Sequence, residues 1–266
     1  MGAGLVRTIV KAGAAAVPAG RGTVVLIYHR VGASSALDVD LATAEFAHQM
    51  EWLATRGGAR PLAPALETLQ DAATDPHDVV VTFDDGTADF AETALPVLVE
   101  HHIPVTLYLA TAFIEEQRPF PDDGRPLTWA ALRDACSTGL VDVASHTHTH
   151  AVLDRLPPGR VADELDRSRR LIEDRLGRPC TDFAYPKAIA PSDAADAQVR
   201  ARFRSAALAG TRANRAGHTD PHRLARSPIQ RSDGRRYFER KVAGGMGFED
   251  TLRRAANRWR YRNVDS

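Results

Sequence analysis

Short apolar segments alternate with helical patterns along most of the chain, and this alternation limits the fold more than any other feature. Seven segments have the composition of strands: residues 24–29, 79–83, 105–110, 140–144, 182–186, 205–209 and 223–229. Helical patterns, with apolar residues three or four positions apart, fill most of the intervals, among them residues 66–72 and 88–102. Two further helices are expected to begin after the capping residues Thr128 and Ser192. Continuous apolar strands separated by helices are typical of a parallel sheet covered by helices. Since there is no internal repeat or low-complexity linker, we expect residues 21–266 to form one α/β domain.

Both ends of the chain combine basic with apolar residues. Residues 5–17 are mostly small and apolar, but Arg7 and Lys11 interrupt them, so we expect an amphipathic segment over residues 1–20 rather than a signal peptide. Residues 253–262 include five arginines and two aromatic residues, which fits a solvated helix face or weak contact with an anionic membrane. We therefore expect a location in the cytoplasm or at the inner membrane face. The formal net charge of +0 gives no indication of nucleic-acid binding.

Two polar motifs follow predicted strands at their C-terminal ends. The sequence TFDDG occupies residues 82–86, and HTHTH occupies residues 146–150. In α/β barrels and sheets, the C-terminal strand ends form the face on which chemistry is built. Two carboxylates and two histidines could supply three ligands to a catalytic divalent metal and leave one carboxylate as a base. Histidines four positions apart can project from one side of a single turn.

Each motif alone has a simpler interpretation. Asp and Gly are common turn residues, so Asp84-Asp85-Gly86 could be only a turn. Two histidines at this spacing are often solvated, or hydrogen-bonded within the protein, without binding a metal. Their joint position at strand ends favours the metal site. By its spacing, His148 should point away from its neighbours, and we exclude it from the ligand set.

Together the two motifs resemble those of the polysaccharide deacetylase family, carbohydrate esterase family four, which is built on the NodB homology domain. The resemblance extends over roughly residues 24–229. LIYHRV at residues 26–31 resembles the opening strand of the branch that acts on exopolysaccharides, and FAYP at residues 183–186 resembles its third motif. The resemblance implies a distorted (β/α)7 barrel. It also implies metal-dependent removal of an N-acetyl group from an amino sugar in a glycan or glycoconjugate.

The resemblance assigns the residues of the two motifs to roles. Asp84 matches the general base, and Asp85, His146 and His150 match the three metal ligands. The expected ion is Zn²⁺, with Co²⁺ or Ni²⁺ as alternatives, because affinity order alone does not select zinc. Thr147 would brace the turn that carries the histidines.

The third motif is expected to bind substrate, and it contains a departure from the family. Tyr185, Pro186 and Lys187 match the substrate-binding segment, in which a backbone N–H of Pro186-Lys187 helps stabilise the oxyanion. The family often has an arginine two positions before the proline, where it holds the base, whereas this chain has Ala184. Arg226, in the last predicted strand, could supply the guanidinium to the catalytic site. The alternative for Arg226 is a structural ion pair.

A second departure concerns the general acid, because the Leu-x-His motif that normally supplies it is not evident. His29 is the best-placed candidate, since it ends the first predicted strand. His222 and His218 in the late loop are the next candidates. A structural histidine at the barrel mouth is an equally reasonable interpretation of His29.

Two other functions fit the same residues. One is an amidase of the same fold that acts on a small non-sugar amide, such as a cyclic imide or ureide. The other is a metal-containing glycan-binding module without turnover, which Ala184 and the missing acid motif would explain. The complete ligand set argues against the second.

Overall fold

The computed structural model of the protein describes residues 20–74 and 76–245. The strands are β1 (Val24–Tyr28), β2 (Arg30–Val31), β3 (Asp40–Leu41), β4 (Val79–Phe83), β5 (Val105–Leu109), β6 (Val141–Ser145), β7 (Asp182–Ala184), β8 (Ser205–Ala209) and β9 (Leu224–Pro228). Seven of them form a closed parallel barrel in the order β1-β4-β5-β6-β7-β8-β9, and β2 pairs with β3 in a separate ribbon. The expected (β/α)7 barrel is therefore confirmed.

Helices cover the outside of the barrel and close one of its ends. They are α1 (Thr43–Ala54), α2 (Leu62–Gln70), α3 (Leu95–Glu100), α4 (Thr111–Glu115), α5 (Trp129–Ser137), α6 (Pro158–Leu176), α7 (Asp193–Arg200) and α8 (Gly234–Val242). A π-helical turn, Phe90–Ala94, leads into α3. The hydroxyls of Thr128 and Ser192 accept backbone N–H groups and cap α5 and α7, as expected from the sequence. Gly177, with a φ of 65°, ends α6.

Some helical boundaries differ from those expected. Helix α2 begins at Leu62, whereas the apolar pattern suggested residue 66, because Pro61 and Pro64 are tolerated around a first helical turn. The single helix expected over residues 88–102 instead starts as the π-helical turn. The ribbon of β2 and β3 and the short helix α4 were not anticipated, since segments of two to five residues carry little periodicity.

Alternation along each strand sorts the apolar side chains into two layers. The inner layer fills the barrel and meets the buried leucines of α2, which closes the N-terminal end: Val25, Val80, Tyr108, Ala144, Ala184, Ala207 and Leu224 with Leu62, Leu66 and Leu69. The outer layer, between the barrel and the helices, includes Leu26, Phe83, Leu107 and Phe183. Counting in steps of two from the inner residues places Asp84, His146 and Arg226 on the inside.

The predicted amphipathic segment over residues 1–20 and the basic run over residues 253–262 lie outside the described residues, except for Gly20. The proposed bounds, residues 1–20 and 21–266, therefore stay predictions. Within the described part of the chain, no helix is both long enough and apolar enough to cross a membrane.

Candidate active site

The two aspartates that follow β4 reach the same space from different backbone conformations. Asp84 is buried and extends the strand, and its N–H donates to the Tyr28 carbonyl at 3.0 Å. In a continuing strand Asp85 would point to the opposite face. Instead its φ is 73°, and the following Gly86 has a φ of 98°. A Cβ on Gly86 would lie 2.7 Å from Leu109 Cδ2, so glycine is required for this turn.

The two histidines meet through a loop, which corrects the expectation of a helical turn. His146 is buried directly after β6, and Thr147 and His150 have φ values of 65° and 62°. These two left-handed residues reverse the chain and bring the imidazole centroids to 4.9 Å. Thr147 does not brace the turn with its side chain, because its hydroxyl has no hydrogen-bond partner among the described residues. Its N–H donates to Ser145 Oγ, and its carbonyl accepts from the Thr111 N–H.

Asp85, His146 and His150 form a compact set of potential metal ligands. One ligand atom from each lies within 4.8 Å of the others. Asp85 Oδ1 is 3.4 Å from His150 Nε2 and 3.8 Å from His146 Nε2. Tetrahedral ligands about 2.1 Å from a zinc ion are roughly 3.4 Å apart, so the set fits a small divalent ion. The side chains of Asp85 and His150 are 25% and 26% exposed, so this side is open to solvent and substrate.

The environment of His146 favours metal binding through Nε2. Its Nδ1 lies 2.8 Å from the carbonyl oxygen of Ala184, so Nδ1 carries the proton and Nε2 has the free lone pair. Burial lowers the pKa of His146 to about 4, although Asp84 and Asp85 oppose this shift. The imidazole is therefore neutral at physiological pH, which is the form that binds metals. His148 lies outside the set, as expected, because it is buried with Nδ1 2.9 Å from Thr111 Oγ1.

Glu164, on α6, holds the histidine loop, and no sequence motif indicated this role. Its carboxylate accepts the N–H of Thr149 at 2.7 Å and the hydroxyl of Thr149 at 2.8 Å. Glu164 is buried, and Thr149 precedes the left-handed His150. The two bonds fix the loop from outside the ligand set, as partners behind metal ligands commonly do.

Glu164→Ala should weaken metal binding by roughly 10- to 100-fold, because it leaves the loop without its carboxylate support. Titration against a fluorescent chelator would measure this loss. Asp163→Ala is the matched control, since Asp163 is exposed on the same helix and should leave the affinity unchanged. A metal affinity within about twofold of wild type for Glu164→Ala would show that the histidine loop keeps its conformation without Glu164.

Arg226 approaches Asp84 through the interior of the barrel. Its two terminal nitrogens donate to the two oxygens of Asp84 at 2.6 and 2.9 Å, and one also donates to Thr82 Oγ1 at 3.1 Å. Ala184, where the family often has arginine, has no side chain that could reach the base, and its carbonyl serves His146. The guanidinium that contacts Asp84 therefore belongs to a residue of β9 and not to a residue of the third motif.

The charge environment keeps Asp84 ionised. Burial alone would raise the pKa of Asp84, but the Arg226 guanidinium and then His146 outweigh it and hold the pKa at about 2. Asp84 Oδ2 lies 3.8 Å from His146 Nε2, so this carboxylate adjoins the ligand set. Asp84 therefore lies beside the three potential ligands as an ionised carboxylate that is already hydrogen-bonded to Arg226.

Among the candidate acids, the structure places only His29 near the site. His29 directly follows β1 and is half-buried, its charge contributes to the environment of Asp84, and its Nδ1 has no hydrogen-bond partner among the described residues. The two late-loop candidates are wrong, because the loop has returned to the N-terminal end of the barrel. His222 Nε2 contacts the Phe203 carbonyl ahead of β8, and His218 belongs to the same return. Neither can reach Asp84.

The structure does not bring the Tyr185 side chain to the site, and this corrects its assignment to substrate binding. Alternation after the inward Ala184 turns Tyr185 outward, where it is buried and its hydroxyl donates to Asp196 at 3.2 Å. Its N–H donates to the Ala207 carbonyl. Pro186 is also buried and has no N–H, whereas Lys187 is exposed with a left-handed φ of 54°. Of these three residues, only Lys187 has an exposed side chain.

Comparisons with known proteins agree with this architecture. A family model described as "Polysaccharide deacetylase" matches residues 71–206, about half of the chain. The Bacillus subtilis (strain 168) protein YxkH is 27% identical over 164 residues, which cover 61% of this chain and 55% of YxkH. A chitooligosaccharide deacetylase of Rhizobium leguminosarum bv. phaseoli is 28% identical over 120 residues, 45% of this chain and 47% of that protein. The chain thus spans about half the length of these relatives.

A solved structure extends the likeness over most of the fold. The structure of IcaB from Ammonifex degensii superposes with a TM-score of 0.73 and 26% identity, and it covers 86% of this chain and 99% of IcaB.

Proposed function

Because this chain belongs to the polysaccharide deacetylase family, we propose that it is a metal-dependent hydrolase that removes an N-acetyl group from an amino sugar of a glycan or glycoconjugate. The observation that carries the proposal is one arrangement at the C-terminal barrel face. One ligand atom each from Asp85, His146 and His150 lies within 4.8 Å of the others. Beside them, Asp84 accepts two hydrogen bonds from Arg226. Similarity to a chitooligosaccharide deacetylase supports an amino-sugar substrate.

Asp85, His146 and His150 would hold one divalent ion, which we propose to be Zn²⁺, with Co²⁺ or Ni²⁺ as alternatives. When bound, such an ion lowers the pKa of a water and polarises a carbonyl. Asp84 would take the proton of the attacking water, because it is ionised and unable to leave its position. Arg226 acts through Asp84 by fixing both carboxylate oxygens. The backbone N–H of Lys187 would donate to the oxyanion, and His29 would return a proton to the leaving amine.

A substrate panel separates this function from its rivals. We expect acetate release from short N-acetylglucosamine oligomers and none of comparable efficiency from cyclic imides or ureides. Preference for the small amides would favour the amidase alternative. Stoichiometric metal without turnover on either class would favour a glycan-binding module.

Arg226→Lys should lower kcat by roughly 10- to 100-fold, because a lysine cannot reproduce the two-pronged contact with Asp84. KM should change little, since a misoriented base affects the transition state more than binding. Asp84 would lose the two-pronged hydrogen bonding that favours its ionised form, so its pKa would rise from about 2 and the acidic limb of the pH–rate profile would move to higher pH.

Arg204→Lys is the matched control, since Arg204 makes a similar two-pronged contact with Asp182 at the other end of the barrel. It should leave kcat and the pH profile unchanged. Near-normal kcat and an unmoved profile for Arg226→Lys would instead assign Arg226 to a structural ion pair.

His29→Gln should reduce kcat on an N-acetylated sugar on the order of 10²-fold, the low end for a positioned acid, because solvent also reaches this half-buried residue. The loss should disappear with p-nitrophenyl acetate, whose leaving group needs no proton. Comparing the two substrates measures the acid role directly. Equal losses on both would show that His29 only shapes the site.

We also propose a weak membrane contact and a cellular location from the two ends of the chain. Residues 253–262 would bind weakly to an anionic membrane, and the interrupted apolar stretch near Arg7 and Lys11 supports a location inside the cell or at the inner membrane face. Sedimentation with anionic and neutral vesicles tests the first point, and cell fractionation tests the second. Equal binding to both kinds of vesicle would overturn the membrane contact. Recovery of the protein outside the cell would overturn the proposed location.

A further inference from the structure

One large aromatic ring, that of Tyr108, lies inside the barrel beneath the residues of the site. Tyr108 is fully buried and belongs to the inner layer, on β5. Inner positions on the neighbouring strands β6, β7 and β8 are alanines: Ala144, Ala184 and Ala207. These small residues leave room for two long side chains, Tyr108 and Arg226, which are among the largest fully buried side chains of the described residues. The centre of the Arg226 guanidinium lies 4.8 Å from the centroid of the Tyr108 ring.

The hydrogen bonds of Arg226 hold only the edge of the guanidinium that carries the two terminal nitrogens. The two terminal nitrogens donate to Asp84 and Thr82, whereas Nε is buried without a hydrogen-bond partner among the described residues. Rotation about the Cδ–Nε region would tilt the fork away from Asp84 unless something supports the flat face. The Tyr108 ring offers that support, because a cation is attracted to an aromatic face, and more strongly when both are removed from water.

The hydroxyl of Tyr108 does not explain why an aromatic residue lies here. It is buried and has no hydrogen-bond partner among the described residues. An unpaired buried hydroxyl destabilises a fold. The contribution of this residue to the site must therefore come from the ring face.

We propose that Tyr108 is a positioning residue whose ring holds the plane of the Arg226 guanidinium, so that both its terminal nitrogens meet Asp84. The inference deepens the proposed function and rests on Asp84 acting as the base. It predicts that phenylalanine can replace Tyr108, whereas an aliphatic residue cannot. A residue that only filled the core would show its effect in stability and not in kcat.

The test compares Tyr108→Phe with Tyr108→Leu. Tyr108→Phe should keep kcat within about twofold and should not lower the melting temperature, because it removes only the unpaired hydroxyl. Tyr108→Leu should lower kcat by roughly 5- to 30-fold, with KM and metal content unchanged, as expected for loss of a desolvated cation–π contact. Phe203→Leu is the control for a general packing defect, since Phe203 is buried away from Arg226 and should lose stability without losing kcat.

A double-variant cycle shows whether Tyr108 acts through Arg226. In an Arg226→Gln background there is no cation to orient, so adding Tyr108→Leu should change kcat by less than about twofold. A full additional loss in that background would overturn the proposal, as would a wild-type kcat in Tyr108→Leu alone. An equal loss in Tyr108→Phe would also overturn it by assigning the effect to the hydroxyl.

A spectroscopic readout keeps the test independent of turnover. The Arg226 side-chain N–H resonances, identified by their absence in Arg226→Gln, should be separately resolved in wild type and Tyr108→Phe. They should broaden or merge in Tyr108→Leu, because the guanidinium rotates more freely. Absence of acetate release by the wild-type protein would refute the proposed function. Arg226 resonances in Tyr108→Leu that match those of wild type would refute the positioning role, whether or not the protein releases acetate.

Discussion

Asp84→Asn should reduce the turnover number on an N-acetylated amino sugar by about 10²- to 10⁴-fold, the usual range for a positioned base. Asparagine keeps the size and the hydrogen-bonding edge of the side chain but cannot accept the proton of the attacking water. Metal content should remain that of wild type, because Asp84 lies beside the ligand set and Arg226 occupies both of its oxygens. Elemental analysis and steady-state kinetics on the same preparation would measure both quantities.

Asp182→Asn is the control for loss of a buried, arginine-paired carboxylate. Asp182 contacts Arg204 at 2.7 and 3.0 Å at the start of β7, on the opposite end of the barrel. This variant should lose stability but retain turnover. If Asp84→Asn instead loses its metal with no separate rate effect, the roles of Asp84 and Asp85 are reversed.

The double variant Asp85→Ala, His146→Ala should lose the metal and reduce turnover to background. Wild type should contain about one ion per chain, as expected for three protein ligands with one open position. Removing two of three ligands leaves only His150, which cannot retain an ion against dialysis. Full metal occupancy in the double variant would disprove the ligand assignment.

His148→Gln provides the histidine control for the same experiment. His148 lies between the two candidate ligands in sequence but contacts Thr111 in the interior. The variant should keep its metal, although it loses a buried hydrogen bond. Loss of metal in both variants would point to general disruption of the loop.

Strand alternation made much of the site predictable. Apolar runs located the strands, and parallel strands bring their C-terminal ends to one face, so the aspartate and histidine motifs had to converge. The same counting places Arg226 inside the barrel, two positions after Leu224. On β7, Ala184 points inward, so the next residue, Tyr185, must point outward. The same alternation therefore explains why the Tyr185 side chain does not reach the site.

Other features depend on backbone geometry that no local pattern encodes. The histidine pair meets through left-handed residues at Thr147 and His150, and a positive φ is uncommon for any residue other than glycine. Glu164 lies 15 positions from Thr149, and helix α6 carries four other carboxylates that resemble it in sequence, none of them buried: Asp163, Asp166, Glu173 and Asp174. The error over His218 and His222 had a simpler cause. A loop between parallel strands must return to the N-terminal end before the next strand begins, so its later residues leave the active face.

Acetate release from short N-acetylglucosamine oligomers, with and without a chelator, tests the central claim most directly. We predict release by the purified protein, loss of release after chelation and dialysis, and recovery when a divalent ion is added back. The Asp84→Asn protein, measured beside it with the same metal content, should remain inactive after the ion is restored. Acetate release that survives complete removal of the metal, or that Asp84→Asn supports at the wild-type rate, would contradict the account.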